Sequence, residues 1–368
     1  MIMSIITFLI VLSILVLVHE AGHFFAAKKA GILVEEFGFG IPPRIFGKKF
    51  GETLYSVNLL PFGGFVRLHG ENTEDSITKP ERAFLNKSKK VRVAIILAGV
   101  LMNFLLGIFA FSVVYSFMGI PRKTDYVRVE EVREGSPAKE SGLMGGDIIR
   151  TIDGATVKSN AEFISAIEED KGKLVKLGVE RKGETGLLTL ETTPRENPPE
   201  GEGALGIVIT STEIYFPPVW QRPFWGAYYG LMDAIFWGKL VATGMVSMVV
   251  GLFRGQVPQD VAGPVGIYAL TTQAASYGFL TLVNFLGVLS VNLAILNVIP
   301  FPALDGGRLF FILIESIFGR RVVPKVEAAI HTVGIIILIT LILAITAHDI
   351  QKLVANGGVS GYLDSVLK

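Results

Sequence analysis

Cysteine is absent from all 368 residues, which excludes a disulfide framework and any thiolate metal site. A metal bound by this chain would have to be held by nitrogen and oxygen. Charge is scarce too, at 18% of residues, and nearly cancels, with 34 Lys and Arg against 33 Asp and Glu. So balanced a chain carries no sign of a nucleic-acid partner. Apolar residues make up half of the sequence at a mean hydropathy of +0.52, the composition of a polytopic α-helical membrane protein with some soluble mass.

Histidine is also rare, with five in the chain, yet two of them fall in His19-Glu20-Ala21-Gly22-His23, inside the apolar N-terminal segment. On a helix, residues four apart share one face, so both imidazoles can reach one metal ion. Glu20 lies one step round, within reach of a metal-bound water without being a ligand. That is the zincin arrangement, in which Zn2+ lowers the pKa of the water and the carboxylate takes its proton. Two histidines and a glutamate can also be a polar patch at a helix end. At bilayer depth, however, ionisable groups are costly and usually functional.

Four stretches are long and apolar enough to span a bilayer: about Met1 to Ala27, Val93 to about Ile120, Phe279 to Leu304, and about Ala329 to Ala347. The first lacks a basic start and a small-residue cleavage site, so it reads as a retained span, not a signal peptide. Lys28, Lys29, Lys48, Lys49, Lys89 and Lys90 between the first two spans, and Arg308, Arg320 and Lys325 after the third, place those loops in the cytoplasm.

A catalytic zinc keeps three protein ligands, so one is still missing. Asp305 closes the third span at the same cytoplasmic side as the histidines, and completes an open site. An Asp-Gly turn capping the next helix is the plainer reading of Asp305 and is compatible with ligation. His331 is the rival ligand, and His69 and His348 read as solvated or interfacial. Phe224 to Phe253 is nearly apolar enough to be a fifth span. A single extra crossing there would carry Asp305 to the opposite face, so the segment is expected to lie on the outer interface as an amphipathic helix.

Residues 122–195 break the apolar pattern. Val127 to Val132 alternates as a strand, and Ser136-Pro137-Ala138, Ser141-Gly142-Leu143, Gly146-Asp147-Ile148-Ile149 and Ile152-Asp153-Gly154 form the pattern of a bacterial PDZ domain, a module that binds extended peptides at a sheet edge. Glu36 to Gly40 and Leu54 to Val66 are apolar, glycine-punctuated and too short to span. They read as a re-entrant β-hairpin beside the metal or as an ordinary cytoplasmic hairpin.

With these residues in place, the chain resembles the site-2 proteases, of the bacterial regulator of sigma-E protease type. The likeness rests on the H-E-x-x-H, Gly38-Phe39-Gly40, Ala98-Gly99 with Asn103-Phe104, the PDZ insert, Gly263-Pro264-Val265-Gly266-Ile267, and N-x-x-P-x-P-x-x-D-G from Asn297. It implies that His19, His23 and Asp305 bind Zn2+ and that Glu20 is the catalytic carboxylate. It also implies that Asn297, Pro302, Gly38 and Gly40 engage substrate. Two departures are Val100 where many relatives have proline, and room for one PDZ domain where some carry two.

The resulting expectation is four transmembrane helices with a re-entrant β-hairpin region and an inserted α+β PDZ domain. Residues 1–121 and 261–368 would form the membrane core and 196–260 a linker with the interfacial helix. The resemblance implies a zinc endopeptidase of the bacterial inner membrane that cleaves membrane-spanning segments of single-pass proteins, such as anti-sigma factors or signal-peptide remnants, in regulated intramembrane proteolysis. It would meet the lipid bilayer, take a peptide or cleaved substrate terminus at an extracytoplasmic PDZ domain, and keep its zinc towards the cytoplasmic side. A non-catalytic membrane PDZ scaffold and a zinc transporter are the alternatives.

Overall fold

The computed structural model describes residues 2–71, 77–254, 262–320, 322–358 and 361–362. Two units emerge: Met1–Phe117 with Trp220–Lys368, and Met118–Val219. The expected boundary at 260/261 lies outside the described residues.

The first unit is built on helices. Helix α1 (Ile2–Lys29) buries Val11, Leu15, His19, His23 and Ala27, a four-residue stripe that places both histidines on its inward face. It stops where Gly31 takes φ +70. The amide of Gly31 donates to Lys28 O and that of Ile32 to Ala27 O at 3.0 Å, the doubled hydrogen bonds of a Schellman cap. Strands β1 (Val34–Phe50) and β2 (Thr53–Leu68) follow. Each doubles back: Glu36 to Phe39 pair on one side with Gly64 to Arg67 and on the other with Leu54 to Val57, while Lys48 to Phe50 pair with Thr53 to Tyr55. The expected hairpin is therefore a four-segment mixed sheet, in which Glu36 to Phe39 run parallel to Leu54 to Val57 and the other pairings are antiparallel, and Gly64 to Leu68 form one of its edges.

Helix α2 (Lys89–Met118) buries Arg92, Ile95, Gly99, Asn103, Gly107, Phe111 and Val114, again close to every fourth residue. After the second unit come α5 (Arg222–Phe253), α6 (Pro264–Ser276), α7 (Phe279–Val298), α8 (Asp305–Phe318) and α9 (Pro324–Ala355). An ion pair of 2.6 Å between the buried Arg92 and Glu315 joins α2 to α8. Helices α1, α2, α5, α7 and α9 are long and apolar enough to cross a membrane, by length and composition.

Phe224 to Phe253 fall within α5, and the structure shows what this helix packs on. Gly226 of α5 meets Ser112 and Ser116 of α2, Gly230 meets Ile108 and Ser112, and Ala234 and Trp237 pack with Phe111, Phe104 and Ile108. Helix α5 thus runs lengthwise and antiparallel along α2, with Tyr115 donating to Asp233 at 2.7 Å. Helix α7 also runs antiparallel to α2, since Gly287 meets Phe111 and Ser290 donates to Asn103 O. Because α5 and α7 share a direction, a packed α5 leaves Asp305 beside the histidines.

In the second unit the sheet order is β7 (Leu187–Thr192), β6 (Val175–Glu180), β4 (Ile148–Ile152), β3 (Ile120–Val132), β8 (Ile207–Tyr215), with β5 (Ala155–Thr156) on β4. Helices α3 (Pro137–Glu140) and α4 (Asn160–Glu169) complete it. Ser136 and Ser159 cap them by accepting from Lys139 N and Glu162 N. Val127, Leu143, Ile149, Phe163, Val175 and Leu177 share one buried core. The unit extends past the expected 122–195 because β8 pairs along β3, from Ile120 with Tyr215 to Val132 with Ile207; composition alone had assigned that strand to the linker.

The packing of α5 is tested by Gly230→Leu. A side chain there meets the α2 backbone, so overpacking of about 1–3 kcal/mol should lower the thermal midpoint of the detergent-solubilised protein. A wild-type midpoint would return α5 to the periphery.

Candidate metal centre and its cavity

His19 and His23 are each 8% exposed and face α2. Gly99 of that helix lies directly against both rings, where a Cβ would collide with His23 Nε2 and His19 Cε1. Glycine is required at this crossing by contact, and the close approach is what brings α2 atoms within reach of the imidazoles. His23 Nδ1 is 2.8 Å from Ile95 O. A carbonyl only accepts, so Nδ1 carries the proton and Nε2 of the neutral ring presents a lone pair.

Asp305 arrives from the chain's other end. Gly306 and Gly307 after it pack onto the backbone of Ile299 and Phe301, folding the Ile299 to Leu304 loop tightly over the first turn of α8. Ala303 sits at φ +88 and its amide donates to His331 Nδ1 at 3.2 Å, tying the loop to α9. The N-cap position is Leu304, so the Asp305 carboxylate is not used as a helix cap.

Asp305 Oδ2 lies 3.0 Å from His19 Nε2 and 3.2 Å from His23 Nε2, and the two Nε2 atoms are 3.1 Å apart. These three residues are the group of potential metal ligands found among the described residues. Nitrogen and oxygen ligands at about 2.0–2.1 Å from a tetrahedral zinc stand about 3.3 Å apart, so the triangle is nearly the size the ion needs. Its chemistry fits as well. Asp305 Oδ2 is buried without a hydrogen-bond donor, and lone pairs facing one another are reconciled by a cation.

Glu20 does not join the triangle. Its Oε2 accepts from Val66 N at 2.9 Å, on the β2 edge, and it lines a cavity of about 580 Å³ together with His23, Asp305, Val66, Arg308 and His331. The substrate-binding candidates are placed elsewhere. Gly38 is paired on both sides within the sheet and covered by the Phe65 ring, and Gly40, at φ +77, faces Leu60 O. Asn297 is buried in the last turn of α7. Pro302 lines an apolar groove with Phe301, Ile330 and Val333. None of the four lines the metal cavity.

His331, the rival ligand, is the loop tie just described. His69, expected in solvent, is 2% exposed and bridges Glu35 Oε1 at 2.7 Å and Lys79 N at 3.1 Å, because the Leu68 to Gly70 turn folds under residues 79–84. His348 is exposed, as expected. Sequence reasoning did not anticipate Val66, whose signal is its place at a sheet edge, nor Ile95, which acts through its backbone.

Two histidines one helical turn apart, an aspartate from a remote loop, and a carboxylate beside them in a helical membrane protein define a zinc metalloprotease. The sequence profile of Peptidase family M50 matches residues 7–341, and the chain belongs to that family. Proteins described as zinc metalloproteases in Clostridium acetobutylicum and Clostridium perfringens are 33% and 34% identical, over 94% and 95% of this chain and 97% and 98% of theirs. The regulator of sigma-W protease RasP of Bacillus subtilis is 29% identical over 95% of this chain and 99% of its own. Solved PDZ domains of SdrC-like proteins from Listeria monocytogenes and Listeria innocua align at 30% and 29% identity over 23% and 25% of this chain and 88% and 100% of theirs, each with a TM-score of 0.21.

Replacing any one ligand should empty the centre. His19→Ala, His23→Ala and Asp305→Ala are each expected to bring bound zinc from about one ion per chain to background by elemental mass spectrometry, while His331→Ala keeps it.

Proposed function

We propose that this M50 protease cleaves peptide bonds within or near the membrane-spanning segments of single-pass proteins, with His19, His23 and Asp305 holding the zinc and Glu20 moving the proton. The observation that carries the reading is the position of Glu20 Oε2 between the metal triangle and the β2 edge, bonded to Val66 N. Bound zinc supplies a water of lowered pKa and a polarised scissile carbonyl. The chain's own atoms do the rest. Val66 N holds one carboxylate oxygen of Glu20, so the other, Oε1, is the one left to take the proton of the attacking water and deliver it to the leaving amine.

Substrate geometry follows from the sheet. A membrane helix hides its carbonyls in internal hydrogen bonds, so it must unwind before one can react. Gly64 to Leu68 pair with β1 alone and line the cavity through Phe65, Val66 and Leu68, so an unwound segment is received along this edge by strand addition. Gly38 and Gly40 serve it from inside the sheet by admitting Phe65 and Leu60, and Asn297 and Pro302 by shaping the loop that carries Asp305.

The sheet is proposed to re-enter the bilayer. Its turn at residues 61–64 lies against α1 near mid-length: Ser13 Oγ donates to Pro61 O at 3.4 Å, and Val16 and Leu17 meet Gly63 and Gly64. Ile41, Ile45, Phe46, Leu59 and Phe62 are exposed, which suits lipid and not water. Spans α1, α2, α7 and α9 complete the proposed arrangement, with α5 packed along α2. Lys28, Lys29, Lys89 and Lys90 set the zinc side in the cytoplasm, and the PDZ unit lies on the opposite side of the bacterial inner membrane, where it takes a peptide or a cleaved substrate terminus.

Glu20→Gln should keep its zinc and lose cleavage of a model single-pass substrate by about 10²–10⁴-fold. Wild-type turnover in that variant would sink the protease mechanism and favour a scaffold. Val66→Pro, which removes the edge amide that Glu20 accepts from, should lower kcat about tenfold relative to Val66→Ala with a smaller change in KM, because one charge-assisted bond to Glu20 is lost; equal kcat in the two variants would remove the Val66 amide from the account.

A further inference from the structure

Asn103 is fully buried in the middle of a helix whose apolar composition suits lipid, and neither the proton transfer nor the ligand triangle uses it. A buried amide in that setting needs partners for its donors and its acceptor. Its Nδ2 lies 3.4 Å from His19 Nδ1, while its Oδ1 is buried without a partner. The arrangement around His19 decides which end of the amide belongs there. If His19 Nε2 faces the metal as a lone pair, the neutral ring carries its proton on Nδ1, and a donor there needs an acceptor. Amide oxygen and nitrogen have nearly the same shape and are assigned from the hydrogen-bond network. Exchanging them gives Oδ1 its donor and removes the clash of Nδ2–H with Nδ1–H.

The backbone of Asn103 is held as well. Its carbonyl accepts from Ser290 Oγ at 2.8 Å, both groups buried, and Ser290 belongs to α7, the helix that leads to Asp305. With Ile95, whose carbonyl takes the His23 Nδ1 proton, and Gly99, which lies against both rings, Asn103 completes a stripe of three residues four apart on one face of α2. One helix face thus offers an acceptor to each histidine and bare backbone between them.

We infer that Asn103 is the positioning residue for His19, accepting its Nδ1–H through Oδ1 and so fixing the tautomer that presents Nε2 to the zinc. The inference rests on the reading of His19 as a ligand. Acceptors behind metal-binding histidines raise the basicity of the ligand nitrogen, and losing one weakens metal binding by about 10–100-fold.

The test measures zinc affinity of the full-length, detergent-purified protein by competition with a chromophoric chelator. Asn103→Leu, which keeps the volume and removes the acceptor, should bind zinc about 10–100-fold more weakly. Asn103→Asp, which keeps an acceptor at the same reach, should bind at least as tightly as wild type. Wild-type affinity in Asn103→Leu, or equal losses in both variants, would overturn the inference while leaving the zinc site standing. A wild-type protein that binds no zinc would instead overturn the site itself. Should Asn103→Leu fail to fold, the Co2+-substituted protein decides: Asn103→Asp should shift the d–d absorption bands through a stronger His19 donor, and an unshifted spectrum would leave Asn103 a packing residue.

Discussion

Three lone-pair-bearing atoms, one from each of His19, His23 and Asp305, stand within 3.2 Å of one another, a crowding that a shared cation would relieve. Everything near them serves that crowding. Helix α2 comes close enough for Ile95 to accept from His23 because Gly99 has no side chain, and the Asp305 loop is compressed onto α8 because Gly306 has none. Removing the lone-pair conflict with water would require an open site. Here the three side chains are 10%, 11% and 17% exposed, so solvent has little access to relieve the conflict.

The same compactness connects the metal to the sheet. Glu20 is fixed at one oxygen by a strand-edge amide, so its position relative to the edge does not depend on a flexible side chain. The sheet is anchored in turn by its turn region against Ser13 to Leu17 of α1, less than three helical turns from His23 on the same helix. Both histidines, Glu20 and the edge strand therefore take their positions from α1, and Asp305 is brought to them by the loop before α8.

Much of this was legible in the sequence. His19, Glu20 and His23 form a local motif whose helical spacing already dictates a shared face, and the apolar runs declare their helices through length alone. The capping serines of the second unit and Gly31 after α1 are short-range signals that act within one or two turns. What was not legible depended on long-range packing. Phe224 to Phe253 has the charge and aromatic content of an interfacial helix, and only the match of Gly226 and Gly230 to the serines of α2 reveals that it is packed. The strand Ile207–Tyr215 looks like linker until it is paired with β3, and His69 looks solvated until residues 79–84 fold over it.

The sequence by itself determined the chemistry: no thiolate, two imidazoles on one helical face, a carboxylate next to them and an apolar setting. These are local facts of composition and spacing, and no fold is needed to read them. Tertiary structure alone decided how closely Asp305 approaches the two imidazoles, which strand meets Glu20, and that Gly38 and Gly40 sit inside the sheet and not at its edge. The reason is that such contacts join residues as far apart as His19 and Asp305, and are set by how close two backbones can come, a quantity that no single segment of the chain contains.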